Sequence, residues 1–275
     1  MKDPNAPKTN TVLKIIIAAA FILIAGIIIS LAVIYTSHNN TLIASGECGE
    51  NVSWELTENA YLLNATYTIT ISGNGDMTDY EGTYYNIPGT DRRPWKAYID
   101  SITNIVINEG VTSVGACAFT GLSQLKSVSM ADTVTCIGSY AFSSCETLTG
   151  MEIPDHVVTI GDYAFSGCHS LAEISIAGEM EYIGQGAFES CAITSFTLPD
   201  GIETIETCTF LGCTKLKNIY IPESVTVICN EAFGLCSALR NIYYAGPQDQ
   251  WDEIDISTVH TGLYFNGCNI YFDSF

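Results

Sequence analysis

LTGMEIPDHVVTIGDYAFSGC, residues 148–168, is one copy of a pattern that recurs through the middle of this chain. Its phenylalanine belongs to a series of six, separated by 23, 23, 23, 22 and 23 residues. The series is Phe119, Phe142, Phe165, Phe188, Phe210 and Phe233. A period of about 20 to 30 residues indicates a solenoid of stacked coils. Each coil has apolar residues on one side only, so it can remove them from water only by packing against its neighbours.

Each copy begins with alternating apolar and polar residues, which predict a short strand. In residues 171–176, for example, Leu171, Ile174 and Ile176 are expected to face inward. Proline follows several of these strands and ends the ladder, because it has no backbone N–H to donate. A glycine four residues before the phenylalanine predicts a tight bend, with either a positive φ or a close approach of neighbouring coils. This glycine column is Gly115, Gly138, Gly161 and Gly184.

The period and the recurring residues resemble the BspA-like leucine-rich repeats, which are found on bacterial and protozoan cell surfaces. The resemblance covers residues 102–245, about six 23-residue coils. It extends to a β-rich N-terminal cap over residues 45–101 and to a C-terminal cap over residues 246–275. It implies a leucine-rich-repeat solenoid of the α/β horseshoe class, β-rich with short helical turns. It also implies a binding surface rather than a reaction.

One long apolar run, Ile15 to Tyr35, predicts a single transmembrane helix. At about 1.5 Å per residue the run spans roughly 31 Å, which matches a hydrocarbon core of about 30 Å. A cleavable signal peptide is the alternative, although its apolar region is usually about 7 to 15 residues long. Lysines before the run place residues 1–14 in the cytoplasm. A linker over residues 36–44 then leads to extracellular repeats, so we expect a single-pass protein of the cell membrane.

The surface composition limits the classes of partner. The formal net charge is −20 at pH 7, and such a surface repels the phosphates of nucleic acids. The same acidity also keeps an exposed repeat protein soluble, without any steering role. Asn39, Asn51 and Asn64 begin Asn-x-Ser/Thr sequons, which carry glycans only in a eukaryotic secretory pathway.

Five of the eleven cysteines lie three residues after a repeat phenylalanine and form a column. They are Cys145, Cys168, Cys191, Cys213 and Cys236. Stacked coils place equivalent residues about 4.8 Å apart, which is within the Cα separation of a disulfide. Parallel side chains rarely have the dihedral angle that a disulfide needs, so we expect a ladder of buried thiols. The chain lacks Cys-x-x-Cys and a matching histidine pair, and we predict no metal site.

Catalytic motifs are missing from the sequence, including Gly-x-Ser-x-Gly, His-Glu-x-x-His and a phosphate-binding loop. Cys168 beside His169 suggests a nucleophile, but adjacent residues on a coil point apart. Residues 74–79 have some features of a calcium loop but lack the remaining ligands, so a plain turn is expected. The sequence therefore predicts no catalytic residue and no cofactor.

Two outward-facing columns of strand residues end in a cluster that favours binding. Tyr, Asn and Arg are common contact residues, because they supply area and hydrogen bonds at modest entropic cost. The predicted ligand-binding site is formed by Tyr220, Tyr243, Asn218, Asn241, Lys217 and Arg240. Alternatively, the aromatic ladder only stabilises the terminal strands, by about 0.2 to 1 kcal/mol per pair.

The leading hypothesis for function is a non-enzymatic, membrane-anchored surface protein whose repeats bind proteins of host or neighbouring cells. One alternative is a structural component of the cell envelope, which would self-associate without binding other proteins. Another is carbohydrate recognition by Tyr220 and Tyr243, which requires solvent-exposed rings. The expected partner is therefore an extracellular protein or a glycan, and the sequence does not indicate an oligomeric state.

Overall fold

A computed structural model of the chain describes residues 40–61, 64–80, 91–176, 178–256 and 267–273. The predicted transmembrane run, Ile15 to Tyr35, lies outside these ranges, as do the predicted cytoplasmic residues 1–14 and the sequon at Asn39. Within them, no helix is both long enough and apolar enough to cross a membrane.

Antiparallel strands begin the described part of the chain. β1 (Asn40–Gly49) pairs with β2 (Val52–Tyr61), and β2 pairs with β3 (Asn64–Gly73). β1 starts inside residues 36–44, which the sequence predicted as a linker, because its ladder with β2 continues to the pair of Asn40 and Asn59. β3 then pairs in parallel with the first repeat strand, so the sheet continues from the N-terminal strands into the repeats.

Each coil contributes one strand to a first face and a shorter strand to a second face. The first-face strands are β5 (Ile102–Ile107), β7 (Ser127–Met130), β9 (Gly150–Ile153), β11 (Glu173–Ile176), β13 (Ser195–Thr197), β15 (Asn218–Ile221) and β17 (Asn241–Tyr244). The second-face strands are β4 (Gly75–Asp76), β6 (Val111–Val114), β8 (Cys136–Ile137), β10 (Thr159–Ile160), β12 (Tyr182–Ile183), β14 (Thr204–Ile205) and β16 (Val227–Ile228). The remaining elements are a 3-10 helix (Lys96–Tyr98), α1 (Gln248–Asp252), β18 (Asp255–Ile256) and β19 (Asn269–Tyr271).

Equivalent residues of successive coils pair in parallel register, as in Tyr220 with Tyr243. Among the described strands, the first face divides into three sheets with the orders β1-β2-β3-β5-β7, β9-β11 and β13-β15-β17-β19. The second face divides into β4-β6-β8-β10-β12 and β14-β16-β18. The chain therefore has a β-rich repeat fold of the leucine-rich-repeat type, in which corresponding side chains of neighbouring coils lie side by side.

The repeat phenylalanines form a stacked ladder through the core. All six are at most 1% exposed, and neighbouring ring centroids lie 5.4–5.7 Å apart. Trp95 stacks on Phe119 at 5.5 Å and donates from Nε1 to the Ala118 carbonyl at 3.1 Å. Trp95 is therefore the first rung of the ladder. Burying a side chain of this kind contributes about 1.5 to 3 kcal/mol, so the ladder is a major source of stability.

The glycine column marks a close approach of coils. A Cβ atom on Gly138, Gly161 or Gly184 would lie 2.5–2.6 Å from a backbone nitrogen of the preceding coil. On Gly115 it would lie 2.1 Å from the Thr78 carbonyl oxygen. None of the four glycines has a positive φ. The close-approach alternative is thus confirmed, and the positive-φ alternative is wrong.

Positive φ occurs instead two residues before and two residues after each repeat phenylalanine. The earlier positions, with φ of 55–60°, are Cys117, Tyr140, Tyr163, Gly186, Cys208 and Glu231. The later positions, with φ of 57–75°, are Gly121, Ser144, Gly167, Ser190, Gly212 and Leu235. Residues in the left-handed region do not continue a right-handed helix. The segments around the phenylalanines are therefore non-helical turns, which corrects the expectation of short helical turns in the coils.

Candidate binding face

Tyrosines on three neighbouring strands of the first face form a ladder at the C-terminal coils. Tyr220 and Tyr243 pair across β15 and β17, with ring centroids 4.6 Å apart and planes inclined by 9°. Tyr243 and Tyr271 pair across β17 and β19, at 4.9 Å and 13°. The structure thus brings the two predicted tyrosines together and adds Tyr271, which the sequence interpretation missed.

A second ladder of asparagine side chains lies beside the tyrosines. Asn241 donates from Nδ2 to Oδ1 of Asn218 at 2.8 Å, and Asn269 donates to Oδ1 of Asn241 at 3.1 Å. The first pair is 23 residues apart in sequence and the second is 28 apart. This longer spacing explains why Asn269 and Tyr271 escape a search for the 23-residue period. The hydrogen bonds hold the amides in place, because each side chain is fixed by its neighbour.

Two basic residues of the predicted site immediately precede the strands that carry these ladders. Lys217 precedes β15 and Arg240 precedes β17, and both side chains are exposed. Arg240 donates from Nη1 to the carbonyls of Ser237 and Leu239, at 3.1 and 2.7 Å. Neither forms an ion pair within the described ranges. The C-terminal coils therefore carry exposed positive charge on a chain whose net charge is −20.

The stacking controls which part of each ring a ligand can reach. Both faces of the Tyr243 ring are covered, one by Tyr220 and the other by Tyr271. Tyr271 is 43% exposed, and no ring in the part of the chain that the structure describes stacks on its outer side. Tyr243 thus offers a ligand only its ring edge, whereas Tyr271 offers a ring face.

A groove of about 610 Å³ crosses the middle of the same face. It spans β7 to β13, where the first face divides into separate sheets. Its lining residues include hydroxyl residues, two glutamates and several apolar residues. The polar lining residues are Ser127, Glu152, Glu173, Ser175, Thr194 and Ser195. Sequence reasoning missed the groove, because the repeat period predicts continuous pairing of the strands.

The cysteine column forms the predicted ladder of buried thiols. Each Sγ donates to the carbonyl of the phenylalanine one coil earlier, at 3.1–3.4 Å. All eleven cysteines lie within the described ranges, and none of them forms a disulfide there. Burial raises the pKa of Cys213 to about 12, because a thiolate there would lose its hydration. These thiols therefore stabilise the core as neutral groups and are poor nucleophiles.

The residues that suggested catalysis or calcium binding in the sequence have structural roles instead. Cys168 is buried in the thiol column, whereas His169 is exposed and lies with Nδ1 3.0 Å from the Ser190 carbonyl oxygen. The carboxylate of Asp76 accepts from the Thr112 hydroxyl, and that of Asp79 accepts from the Ala116 N–H, both at 2.6 Å. The Thr112 hydrogen bond lowers the pKa of Asp76. No group of three or more potential metal ligands occurs among the described residues.

The sequence matches a known repeat family, and the repeats of the structure agree with that match. The BspA type leucine rich repeat region, with six copies, matches residues 97–214 and 137–253, which together cover more than half of the chain. The chain therefore belongs to the BspA-type leucine-rich repeat family. The family prediction from the repeat pattern is confirmed.

Solved structures of leucine-rich repeat proteins are similar to this chain. A protein from Eubacterium ventriosum is 24% identical, with 74% of this chain and 44% of that chain covered and a TM-score of 0.48. A protein from Bacteroides ovatus is also 24% identical, with 69% of this chain and 53% of that chain covered and a TM-score of 0.46. The leucine-rich repeat protein of T. pallidum is 24% identical, with 65% of this chain and 78% of that chain covered and a TM-score of 0.44. The chain spans about half the length of the first two. No curated protein matches it.

Proposed function

We propose that this chain is a non-enzymatic, membrane-anchored surface protein whose leucine-rich-repeat solenoid binds an extracellular protein. The observation that carries the proposal is the tyrosine ladder of the C-terminal coils, Tyr220, Tyr243 and Tyr271, with the amide ladder beside it. A partner that docks there meets side chains that are already ordered by stacking and hydrogen bonding. Little rotamer entropy is lost on binding, which favours affinity.

A protein suits this surface better than a glycan. Sugars pack on open ring faces, but both faces of the Tyr243 ring are covered by its neighbours. The accessible groups are ring edges, hydroxyls, amides and the cations of Lys217 and Arg240. Such groups complement the carbonyls and carboxylates of a protein surface. Glycan binding remains the second candidate, and the exposed ring of Tyr271 is the observation that favours it.

Membrane anchoring is a separate part of the proposal and is supported by the sequence. The apolar run from Ile15 to Tyr35 is long enough to cross a bilayer, and lysines precede it. The N-terminus would be cytoplasmic and the repeats extracellular. Protease added to intact cells should digest the repeats and spare an epitope placed before Ile15. Protection of the repeats would contradict this orientation.

The binding proposal is tested with the full-length chain on arrays of extracellular matrix proteins and glycans. A triple variant, Tyr220→Ala, Tyr243→Ala and Tyr271→Ala, should weaken binding at least about tenfold, since truncated tyrosine hot spots cost 2 kcal/mol or more in typical interfaces. Tyr182→Ala is the matched control, because Tyr182 is 40% exposed and lies on the second face. Equal binding by the triple variant and the wild type would contradict the proposed site.

A further inference from the structure

Gly150 interrupts an outward-facing column in which the other members all carry side chains. Those members are Asn104, Ser127, Glu173, Ser195, Asn218, Asn241 and Asn269. The backbone does not require a glycine at this position, because its φ is not positive. A Cβ atom would meet its nearest neighbours, the carbonyl oxygen and Cβ of Glu173, at 3.4 and 3.7 Å, which is ordinary contact. Glycine within a strand weakens it and often marks a place where a ligand approaches closely.

Gly150 lines the 610 Å³ groove, so the groove includes the space that a side chain at this position would take up. Glu152 and Glu173 face outward and line the groove, whose walls also include Val128, Met151 and Ile174. Glu173 pairs with Gly150 across β9 and β11, and Glu152 pairs with Ser175. The two carboxylates therefore sit diagonally on adjacent strands, with Cα atoms roughly 8 Å apart from strand geometry.

The charge of the groove points to a cation. Glu152 and Glu173 are both exposed, and neither forms an ion pair within the described ranges. A chain with a net charge of −20 attracts basic partners and repels acidic ones. A site of two carboxylates beside the open space at Gly150 suits a long side chain that ends in a positive group, because the stem can lie along the strand while the head forms charged hydrogen bonds.

We propose that this groove receives an arginine or lysine side chain of the protein partner, with its stem in the space left by Gly150 and its cationic head between Glu152 and Glu173. The inference rests on the proposed function, since the same partner would cover the tyrosine ladder. Ser195 lines one end of the groove and pairs directly with Asn218, the first rung of the amide ladder. Groove and ladder therefore adjoin each other on the first face.

The test uses a fluorescein-labelled peptide of twelve alternating arginine and serine residues, and a matched peptide with citrulline in place of arginine. Fluorescence anisotropy measures binding of each peptide to the full-length chain. The double variant Glu152→Gln/Glu173→Gln should bind the arginine peptide at least about fivefold more weakly, the effect expected for two partly exposed charge pairs. Gly150→Asn, which restores a side chain to the column, should weaken binding to a similar extent.

The matched control is Glu181→Gln/Glu203→Gln, which removes the same charge from exposed positions next to the second face. It should change binding less than about twofold, because only long-range attraction is lost. Equal loss in the two double variants, or equal binding of the citrulline peptide, would overturn the proposal. So would calorimetry showing that calcium chloride alone binds the wild type, but not the Glu152/Glu173 variant, and displaces the peptide.

The tyrosine triple variant separates this inference from the proposed function. If that variant loses binding on the protein array while the Glu152/Glu173 variant keeps full affinity for the arginine peptide, the groove proposal fails alone. If peptide binding depends on Glu152 and Glu173 while array binding is unaffected by the tyrosine changes, the ladder proposal fails and the groove remains a cation site.

Discussion

Replacing Gly161 with alanine should destabilise the repeat region, because the new methyl group would collide with the backbone of the preceding coil. Its Cβ would lie 2.5 Å from the Ser139 nitrogen and 2.8 Å from the Gly138 carbonyl carbon. Ordinary contact begins near 3.4 Å, so the two coils must separate by roughly 0.9 Å. Backbone atoms cannot rotate away as a flexible side chain can, and the displacement must reach the ladder contact between Phe142 and Phe165.

The expected change in the free energy of unfolding combines two destabilising effects and one stabilising effect. Overpacking of this kind costs about 1 to 3 kcal/mol. Weakening the ring contact, whose centroids lie 5.5 Å apart, adds up to about 1 kcal/mol. Alanine restricts the unfolded chain more than glycine does, which returns about 0.4 to 1 kcal/mol. Taking the middle of each range, we expect a net loss of about 2 kcal/mol and a fall in melting temperature of about 4 to 8 °C.

Gly121→Ala is the matched control, and circular dichroism of the full-length chain on heating is the assay. Gly121 has φ +73°, and a Cβ atom there would have no neighbour within 4 Å. Its variant should lose only about 1 kcal/mol, the cost of a left-handed residue with a side chain. If Gly161→Ala melts at the same temperature as Gly121→Ala, or above it, the coils do not approach as closely as argued.

Two further substitutions and one change of pH should alter the stability of the chain. Leu235→Gly should stabilise the chain by about 0.5 to 1 kcal/mol, because Leu235 is 69% exposed and has φ 57°; an unchanged melting temperature would contradict the left-handed cost. Trp95→Ala should cost about 3 to 5 kcal/mol by removing the first rung of the ladder, and guanidinium denaturation with little change in midpoint would count against that role. Stability should also fall at high pH. The Cys213 pKa is 9.0 without the environment of the fold and about 12 within it, so the stabilisation is complete below pH 9 and is lost as pH rises towards 12. The slope is about 1.4 kcal/mol per pH unit, and chemical denaturation of Cys213→Ala should show a shallower fall over this range; equal slopes would refute the contribution of the thiol.

Repetition explains why the sequence predicts the core so well. Identical residues at a fixed period lie side by side once the coils are in register, so Phe142 stacks on Phe165 and the cysteines form a column. The thiol ladder was predictable for the same reason. Trp95 lies within residues 45–101, which the sequence assigned to the N-terminal cap, but its place as the first rung depends on three-dimensional packing.

The left-handed positions carried no comparable signal. Several are occupied by tyrosine, cysteine, serine, glutamate or leucine, none of which signals positive φ as glycine does. The packing of the coils on both sides holds these residues in an unfavourable conformation. The glycines that the sequence does show, such as Gly161, serve close approach instead.

The candidate site was predictable in part. Tyr220 and Tyr243 come together because they share a register, whereas Tyr271 lies outside the 23-residue period. The groove depends on where strand pairing stops, and no residue pattern indicates that division. The importance of Gly150 came only from the structure, which shows its place in the outward-facing column and the space around it.

The most direct test of the binding face is hydroxyl-radical footprinting of the full-length chain, alone and in complex with the matrix protein that it binds most tightly on the array. Oxidation of Tyr271, the most exposed rung of the ladder, should fall at least about threefold in the complex, with parallel protection of Tyr220 and Tyr243. Oxidation of Tyr182, on the second face, should not change. Protection of Tyr182 with full oxidation of Tyr271 would contradict binding at the tyrosine ladder and place the partner on the second face.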